Sequence, residues 1–508
     1  MKKFKKLTTL LVSMTIVGAL FTGCGKTASE APEKETGTPA PTTQAAVSEE
    51  KEGGIGSQDK PVTVSILIKD VSPAEEDVVL LKQKIEEGMA KMNQYVTVEF
   101  LEAPAGTYKE VVPLALRTGE IAPDIVYFQG GDQPIAQEGL LEDLTSYINN
   151  STYIKELMQE HHKQKMANYP YLLWLAPARA KVPVMRADWI EQLPAAKALI
   201  EDPTVDNYYN LFKEMKDKGM VQYGTSVDGE TSRIDNIFNQ AFGVSGSFVK
   251  EDGKWVSSLA SQAQKDKLEF YAKLYKEGLF DSEYVTNTWD VLEQKFYEGS
   301  VGLIGGTAGG VIQIYNDKMV ATNGEAAKIV VLPPAKGVGQ GLAAIDVTKE
   351  SRGMAITADS EAKEAAFAVL EYMASPEGRM LDKLGIEGVH YTINEGKIAI
   401  TDKFPSWWAR FWDTLYKFDP GMPYEKQPFS EATLASLDAL DIYYYEDNNV
   451  LMPEELQPKW DAMNELYNEY STDIIRGVRP ISAFEEFVEK FNAAGGTELS
   501  EYVATQLQ

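Results

Sequence analysis

Few residues in this chain could do bond-breaking chemistry. Its 508 residues include one cysteine, Cys24, and three histidines, His161, His162 and His390. The adjacent pair His161 and His162 should project to different faces of any helix, so a shared metal is not expected, and no cofactor is implied. Neither Gly-x-Ser-x-Gly nor His-Glu-x-x-His occurs, so two common signs of hydrolytic chemistry are absent. The loop Gly305-Gly-Thr-Ala-Gly-Gly310 is rich in glycine, but no Lys-Ser/Thr follows it, and it fails as a phosphate loop. The 76 Asp and Glu permit a pair of carboxylates about 5–10 Å apart, as glycoside hydrolysis needs, yet no pair stands out. Aromatic residues are plentiful, with 25 Tyr, 8 Trp and 19 Phe, enough for a core and for a binding surface.

The lone cysteine has a specific setting. MKKFKK is basic, Leu7 to Phe21 is uncharged and mostly apolar, and Thr22-Gly23 precede Cys24. Basic, apolar and small segments in that order form an export signal. The apolar run is shorter than the roughly 20 residues a spanning helix needs. A cysteine after small residues resembles the lipobox of bacterial lipoproteins, although Phe21 stands where leucine is usual and Leu20 lies one step earlier. The resemblance implies cleavage after residue 23 and lipidation of Cys24. Acylation also removes an exposed thiol from an exported protein. Residues 24–60 are rich in Thr, Ala, Glu, Pro and Gly, and should form a flexible tether because they hold too little apolar surface to order.

Composition bounds the remainder. With 44% hydrophobic and 25% charged residues the chain is globular in type. About 450 residues beyond the tether exceed one compact core, so two lobes are expected. The formal charge is −27, and losing Lys2, Lys3, Lys5 and Lys6 with the signal would take it to −31. So acidic a chain is unsuited to nucleic acid.

Strand and helix patterns alternate along the body. Residues 61–68 and 96–100 are β-branched and apolar, and 125–128 reads as a third strand. Between them a helical stripe runs through Val78, Leu81, Ile85 and Met89, and a second helix around 108–117 is interrupted by Pro113. That order predicts a parallel α/β sheet. Strands are also expected at 182–185, 301–304 and 353–357. A strong amphipathic helix spans 265–277 and stops at Gly278. The last third reads as mostly helical.

Several of these stretches together resemble family 1 extracellular solute-binding proteins. Gly119-Glu-Ile-Ala-Pro-Asp-Ile125 is similar to that family's "GxxPDI" turn, Glu138-Gly-Leu-Leu-Glu-Asp-Leu144 to its "GLL-D-L" segment, and Val184-Met-Arg-Ala-Asp-Trp-Ile190 to its "RxDWL" motif. Phe296-Tyr-Glu-Gly-Ser-Val-Gly302, Ala374-Ser-Pro-Glu-Gly378, and Ile474-Ile-Arg-Gly477 with the 487–496 ending follow in family order. The resemblance implies an α/β, two-lobed periplasmic-binding-protein-like fold with a helical C-terminal region. It also implies a binding lipoprotein of an ABC importer, monomeric, tethered to the outer face of the cytoplasmic membrane, taking a carbohydrate and meeting permease subunits. Residues 61–175 with 346–385 would form one lobe, and 176–345 with 386–508 the other. An extracytoplasmic glycoside hydrolase and a peptide-binding importer component are the alternatives.

A sugar presents hydroxyls and flat C–H faces, so its site needs aromatic plates and planar polar groups. Tyr127, Gln129 and Asp132 follow the third strand and are candidates by position, although Tyr127 could be core and Asp132 could cap the next segment. Trp289 could contact ligand or pack a lobe. Gly306 and Thr307 match the place where family members turn backbone amides and a small side chain toward ligand. In Phe404-Pro-Ser-Trp-Trp-Ala-Arg-Phe-Trp412, a helix would put Phe404, Trp408, Phe411, Leu415 and Phe418 on a buried face. Trp407 and Trp412 would lie on its shoulders as stacking candidates, with Arg410 as a further candidate.

Overall fold

The computed structural model describes residues 54–342, 352–412, 418–448, 450, 452–453 and 455–507. Cys24 and most of the expected tether lie outside them. Strand β1 (Val62–Leu67) is the first β-branched run, and it buries Val64, Ile66 and Leu67. β2 (Val96–Phe100) and β3 (Ile125–Gln129) follow, each after a helix. The helix Glu76–Lys91 buries Val78, Leu81, Ile85 and Met89, the stripe its periodicity predicts. Pro113 does not interrupt the second helix, Tyr108–Thr118, which buries Val112, Pro113 and Ala115 together. Packing outweighs the single backbone donor that proline lacks.

The other strands are β4 (Lys181–Arg186), β5 (Tyr223–Thr225), the hairpin β6 (Phe248–Glu251) and β7 (Lys254–Ser257), and β8 (Val301–Thr307). They continue with β9 (Ile329–Val331), β10 (Arg352–Ile356), and the hairpin β11 (Tyr391–Asn394) and β12 (Lys397–Ile400). Two four-stranded sheets result, ordered β10-β3-β1-β2 and β5-β8-β4-β9. The expectation of a parallel sheet holds for β1, β2 and β3. β10 is antiparallel to β3, and β4 is antiparallel to both β8 and β9. β10 reaches its place after the chain has built the whole second sheet. No short βαβ crossover therefore sets its direction.

Each sheet has its own core. Leu67, Phe128, Met354 and Val369 cluster on the first. The second carries Met185, Phe238, Tyr271 and Leu303, with Val182, Ile304 and Ile312 in an adjoining cluster. The C-terminal helices Gln457–Ile475, Ala483–Phe491 and Thr497–Gln506 bury Tyr470, Phe487 and Val503 against that second core. The protein is therefore α/β and two-lobed, with a helical C-terminal region.

Among the described residues, packing changes from one core to the other at three places. Leu175 belongs to the first core and Ala180 to the second group. Leu342 belongs to the second group and Met354 to the first. Tyr424 packs beside Leu384, Tyr391 and Ile398, whereas Ala432 is back in the second group. The sequence-based lobe division differs from this packing after residue 385. Ile386, Trp407, Phe411 and Trp412 lie in the first core. Asp382 explains the attachment. Its carboxylate accepts the amides of Arg410, Phe411 and Trp412 at 2.8, 3.1 and 3.1 Å.

Candidate functional site

A cavity of about 840 Å³ collects residues from both sheets and from the first crossing segment. β8 ends at Thr307 on its wall, opposite Lys181 in the β4–β8 register. The next residues open the helix Gly310–Asn323, whose first turn also lines the cavity. Gly309 has φ +87°, and its amide donates to the Ser436 hydroxyl at 2.9 Å. The amides of Ile312 and Gln313 return to the Gly309 carbonyl, so Gly310 and Val311 supply the outward-facing donors of the turn. Arg352, at the start of β10, and Lys383, in the helix Pro376–Leu384, come from the first sheet's side.

Aromatic plates complete the wall. Trp289 begins the helix Trp289–Tyr297, and the Arg233 guanidinium lies 4.1 Å from its ring centroid. Trp408 is 39% exposed, and Trp174 and Trp407 line the cavity with it. The expected helix across 404–418 is absent from its described part. Phe404–Ser406 forms a single 3-10 turn, and residues 407–412 are not helical. Asp382 holds the amides a helix would use; Phe411 stays buried as expected, but the tryptophans exchange places. Trp408 is exposed, while Trp407 and Trp412 are buried. The Trp407 indole N–H donates to the Asp382 carbonyl at 2.8 Å. Residues 413–417, including Leu415, lie outside the described range.

Three of the nine sequence candidates, Trp289, Thr307 and Trp407, line this cavity. Arg410 stands just behind the wall, 4.6 Å from the centroids of both Trp407 and Trp408. Its Nη1 donates to the Trp408 carbonyl at 2.8 Å, and burial lowers its pKa against the pull of Asp382. Gly306 is buried, and a Cβ there would stand 2.6 Å from Ile312 Cδ1, so it serves the close approach of β8 and its helix. Trp412 is 2% exposed and packs 6.3 Å from the Trp174 ring. Tyr127 is buried 5.4 Å from that same ring. Gln129 is half-buried opposite Arg352 in the β3–β10 register. Asp132 is 1% exposed, opens the helix Asp132–Gln137, and accepts from the Tyr171 hydroxyl at 3.0 Å.

The cations of the wall share no sequence motif. Arg179, Lys181, Arg233, Arg352 and Lys383 all line the cavity, and no described Asp or Glu does. Arg233 is held from behind by Asp228, with Nη2 2.7 Å from a carboxylate oxygen and Nη1 3.3 Å from the Gly305 carbonyl. Burial, then the Arg233 charge, pushes the Lys181 ammonium down to about 8, against the opposing pull of Asp228 and Asp235. Arg179 and Lys181 flank Ala180 at the entry to β4, and that is the only local signal. Arg233, Arg352 and Lys383 share no motif with them.

A second cavity, about 710 Å³, shares Pro177 and Ala178 with the first and is lined by Glu160, Asp419, Asp441 and Glu446. His161 is also on its wall. The two histidines do not diverge as expected. Their ring centroids lie 3.9 Å apart with the planes tilted by 38°, and their Nε2 atoms lie 3.1 and 3.0 Å from the same Ala176 carbonyl. His162 Nδ1 accepts the Gln159 amide at 2.9 Å, which turns its ring back over the helix start. Among the described residues, no group of three or more His, Cys, Asp or Glu is arranged to hold a metal ion.

Comparison with known proteins adds a family. The profile of the bacterial extracellular solute-binding protein family matches residues 75–380, more than half of the chain. Lipoprotein LipO of Bacillus subtilis is 20% identical over 487 residues, covering 89% of this chain and 93% of its own. An HMO-binding, ABC-transporter-associated solute-binding protein of Bifidobacterium longum infantis is similar in structure, with TM-score 0.63 and 15% identity, covering 87% of this chain and 98% of that one. The N-glycan transport solute-binding protein NgtS of Streptococcus pneumoniae has TM-score 0.61 and 15% identity, covering 88% and 98%. At these identities the structural likeness speaks for the fold alone.

Proposed function

This chain belongs to the bacterial extracellular solute-binding protein family, and on that footing we propose that it captures an oligosaccharide between its lobes for an ABC importer. Lipid on Cys24 would hold it at the outer face of the cytoplasmic membrane, as a monomer, with the 24–60 segment as tether. One lobe would comprise 61–175 with the stretch from β10 to about Tyr424, and the other the remainder. Closure about the three crossing segments would trap the ligand and offer a surface to the permease.

One observation carries this reading: a cavity of about 840 Å³, bounded by residues of both lobes and faced by Trp174, Trp289, Trp407 and Trp408. Flat rings favour the C–H faces of sugars, and the surrounding donors suit hydroxyl oxygens. The neighbours named for HMO binding and N-glycan transport point the same way. Micromolar affinity, about −8 kcal/mol, would be ordinary. The test is a glycan panel with purified protein. Thermal stabilisation with the glycan recovered intact is expected. Shorter products would mark a glycoside hydrolase, and stabilisation by peptides alone a peptide-binding component.

A further inference from the structure

The charge of the cavity is unlike that of the chain. Asp and Glu outnumber Lys and Arg by 76 to 49, yet the cavity wall holds five cations and no described carboxylate. A random sample of this surface would be mostly acidic. The cations also come from separate elements. Arg179 and Lys181 are on the first crossing segment and its strand, Arg233 is on a helix of the second lobe, and Arg352 and Lys383 are on the first sheet's side. Their convergence is a tertiary product, repeated from both sides of one cavity.

Hydrogen-bond polarity separates two classes of saccharide. A neutral sugar hydroxyl donates as well as accepts, so its site must offer acceptors. Among the described lining residues only Thr307 and Gln313 carry a side-chain oxygen. The Gln313 side-chain oxygen is already taken by the Ser430 amide and the Thr433 hydroxyl, each at 2.8 Å. The Trp408 carbonyl is taken by Arg410. Donors, by contrast, are offered by the Lys181 ammonium and by the first-turn amides of Gly310 and Val311. That 14-residue helix also directs the positive end of its dipole at the cavity. Lys181 makes no hydrogen bond through its ammonium within the described structure. Its depressed pKa marks a charge that the protein itself does not fully compensate. A ligand that mostly accepts, and that carries negative charge, fits such a wall.

We propose that the cavity selects an anionic oligosaccharide, one bearing carboxylate groups such as uronic acid residues, with Lys181 as a direct carboxylate contact. This rests on the oligosaccharide reading and narrows it. Aromatic plates would take the ring faces while cations from both lobes engage the charges. Carboxylates along the glycan would thus bridge the lobes and favour closure.

The experiment compares matched probes on the full chain: a panel of uronate oligosaccharides, their methyl esters, neutral oligosaccharides of equal length, and an acidic peptide. Calorimetry is expected to find at least one free acid bound tenfold or more tighter than its ester, with affinity falling as salt rises. Lys181→Gln should cut that preference at least fivefold by weakening the acid more than the ester, while Lys181→Arg should largely retain it. Thermal melts confirm that each variant is folded. Neutral glycans bound as tightly as acids would overturn the charge assignment and leave oligosaccharide capture standing. Binding of no saccharide, or of the acidic peptide alone, would overturn both.

Discussion

Two cavities meet at Pro177 and Ala178, and they carry opposite charge. On one side lie Arg179, Lys181, Arg233, Arg352 and Lys383, and on the other Glu160, Asp419, Asp441 and Glu446. In both, burial works against the local charge. It lowers the pKa of Lys181, and it raises that of Glu446, with Glu160 and Asp447 adding to the rise. The difference lies in what answers the charge. Glu446 receives a hydrogen bond from the Tyr444 hydroxyl at 3.2 Å, so its pocket holds a donor of its own. The Lys181 ammonium has no such partner in its pocket. A net charge of −27 therefore says little about a site. Sign is decided over a few ångströms by which segments converge.

This contrast can be broken in graded steps. The largest expected effect is on the wall's support rather than on its surface. Trp412→Ala removes a 2% exposed indole from the first core and should cost about 3–5 kcal/mol in chemical denaturation. A loss below about 1 kcal/mol would show that the wall does not depend on that core. Trp408→Ala is the surface counterpart. With 39% of the residue exposed, its removal should leave stability within about 0.5 kcal/mol and weaken glycan binding about tenfold. Unchanged affinity would remove Trp408 from the binding face.

A pH series separates the cavities next. Lys181 is charged below about 8 in the fold, while an unfolded lysine keeps its proton to about 10.5. Across that interval the folded chain binds fewer protons than the unfolded one. Its contribution to stability therefore rises with pH, while affinity for an anion falls. The charges that set this balance are Arg233 and Arg179 against Asp228 and Asp235. Affinity should drop about threefold from pH 7 to pH 9, and a flat profile would argue against Lys181 as the contact. The smallest effect belongs to the acidic side. Glu446 has a raised pKa, so its charge at neutral pH opposes folding. Glu446→Gln should add a few tenths of a kcal/mol to stability and leave glycan binding unchanged. Altered binding would mean that the two cavities act together.

How much of this was legible in the residues varies by element. Periodicity located β1, β2 and β3 and the stripe Val78, Leu81, Ile85 and Met89, because each records only which side of a local element is buried. The same logic failed across 404–412, where Asp382 captures three amides and dissolves the expected helix. It failed again at His161 and His162, because the ring of His162 turns back to cap the helix start. Of the residues that position and type single out, Trp289, Thr307 and Trp407 line the cavity, whereas Gly306, Tyr127, Asp132 and Trp412 are buried.

The sequence by itself determined the two α/β halves and the family, since local pattern and motif order suffice for these. Only the tertiary structure decided the charge of the cavity and which tryptophans face it. Residues 179, 233, 352 and 383 are distant along the chain and obey no common period. Their meeting depends on where the crossing segments bring the two sheets together, and no local rule encodes that position.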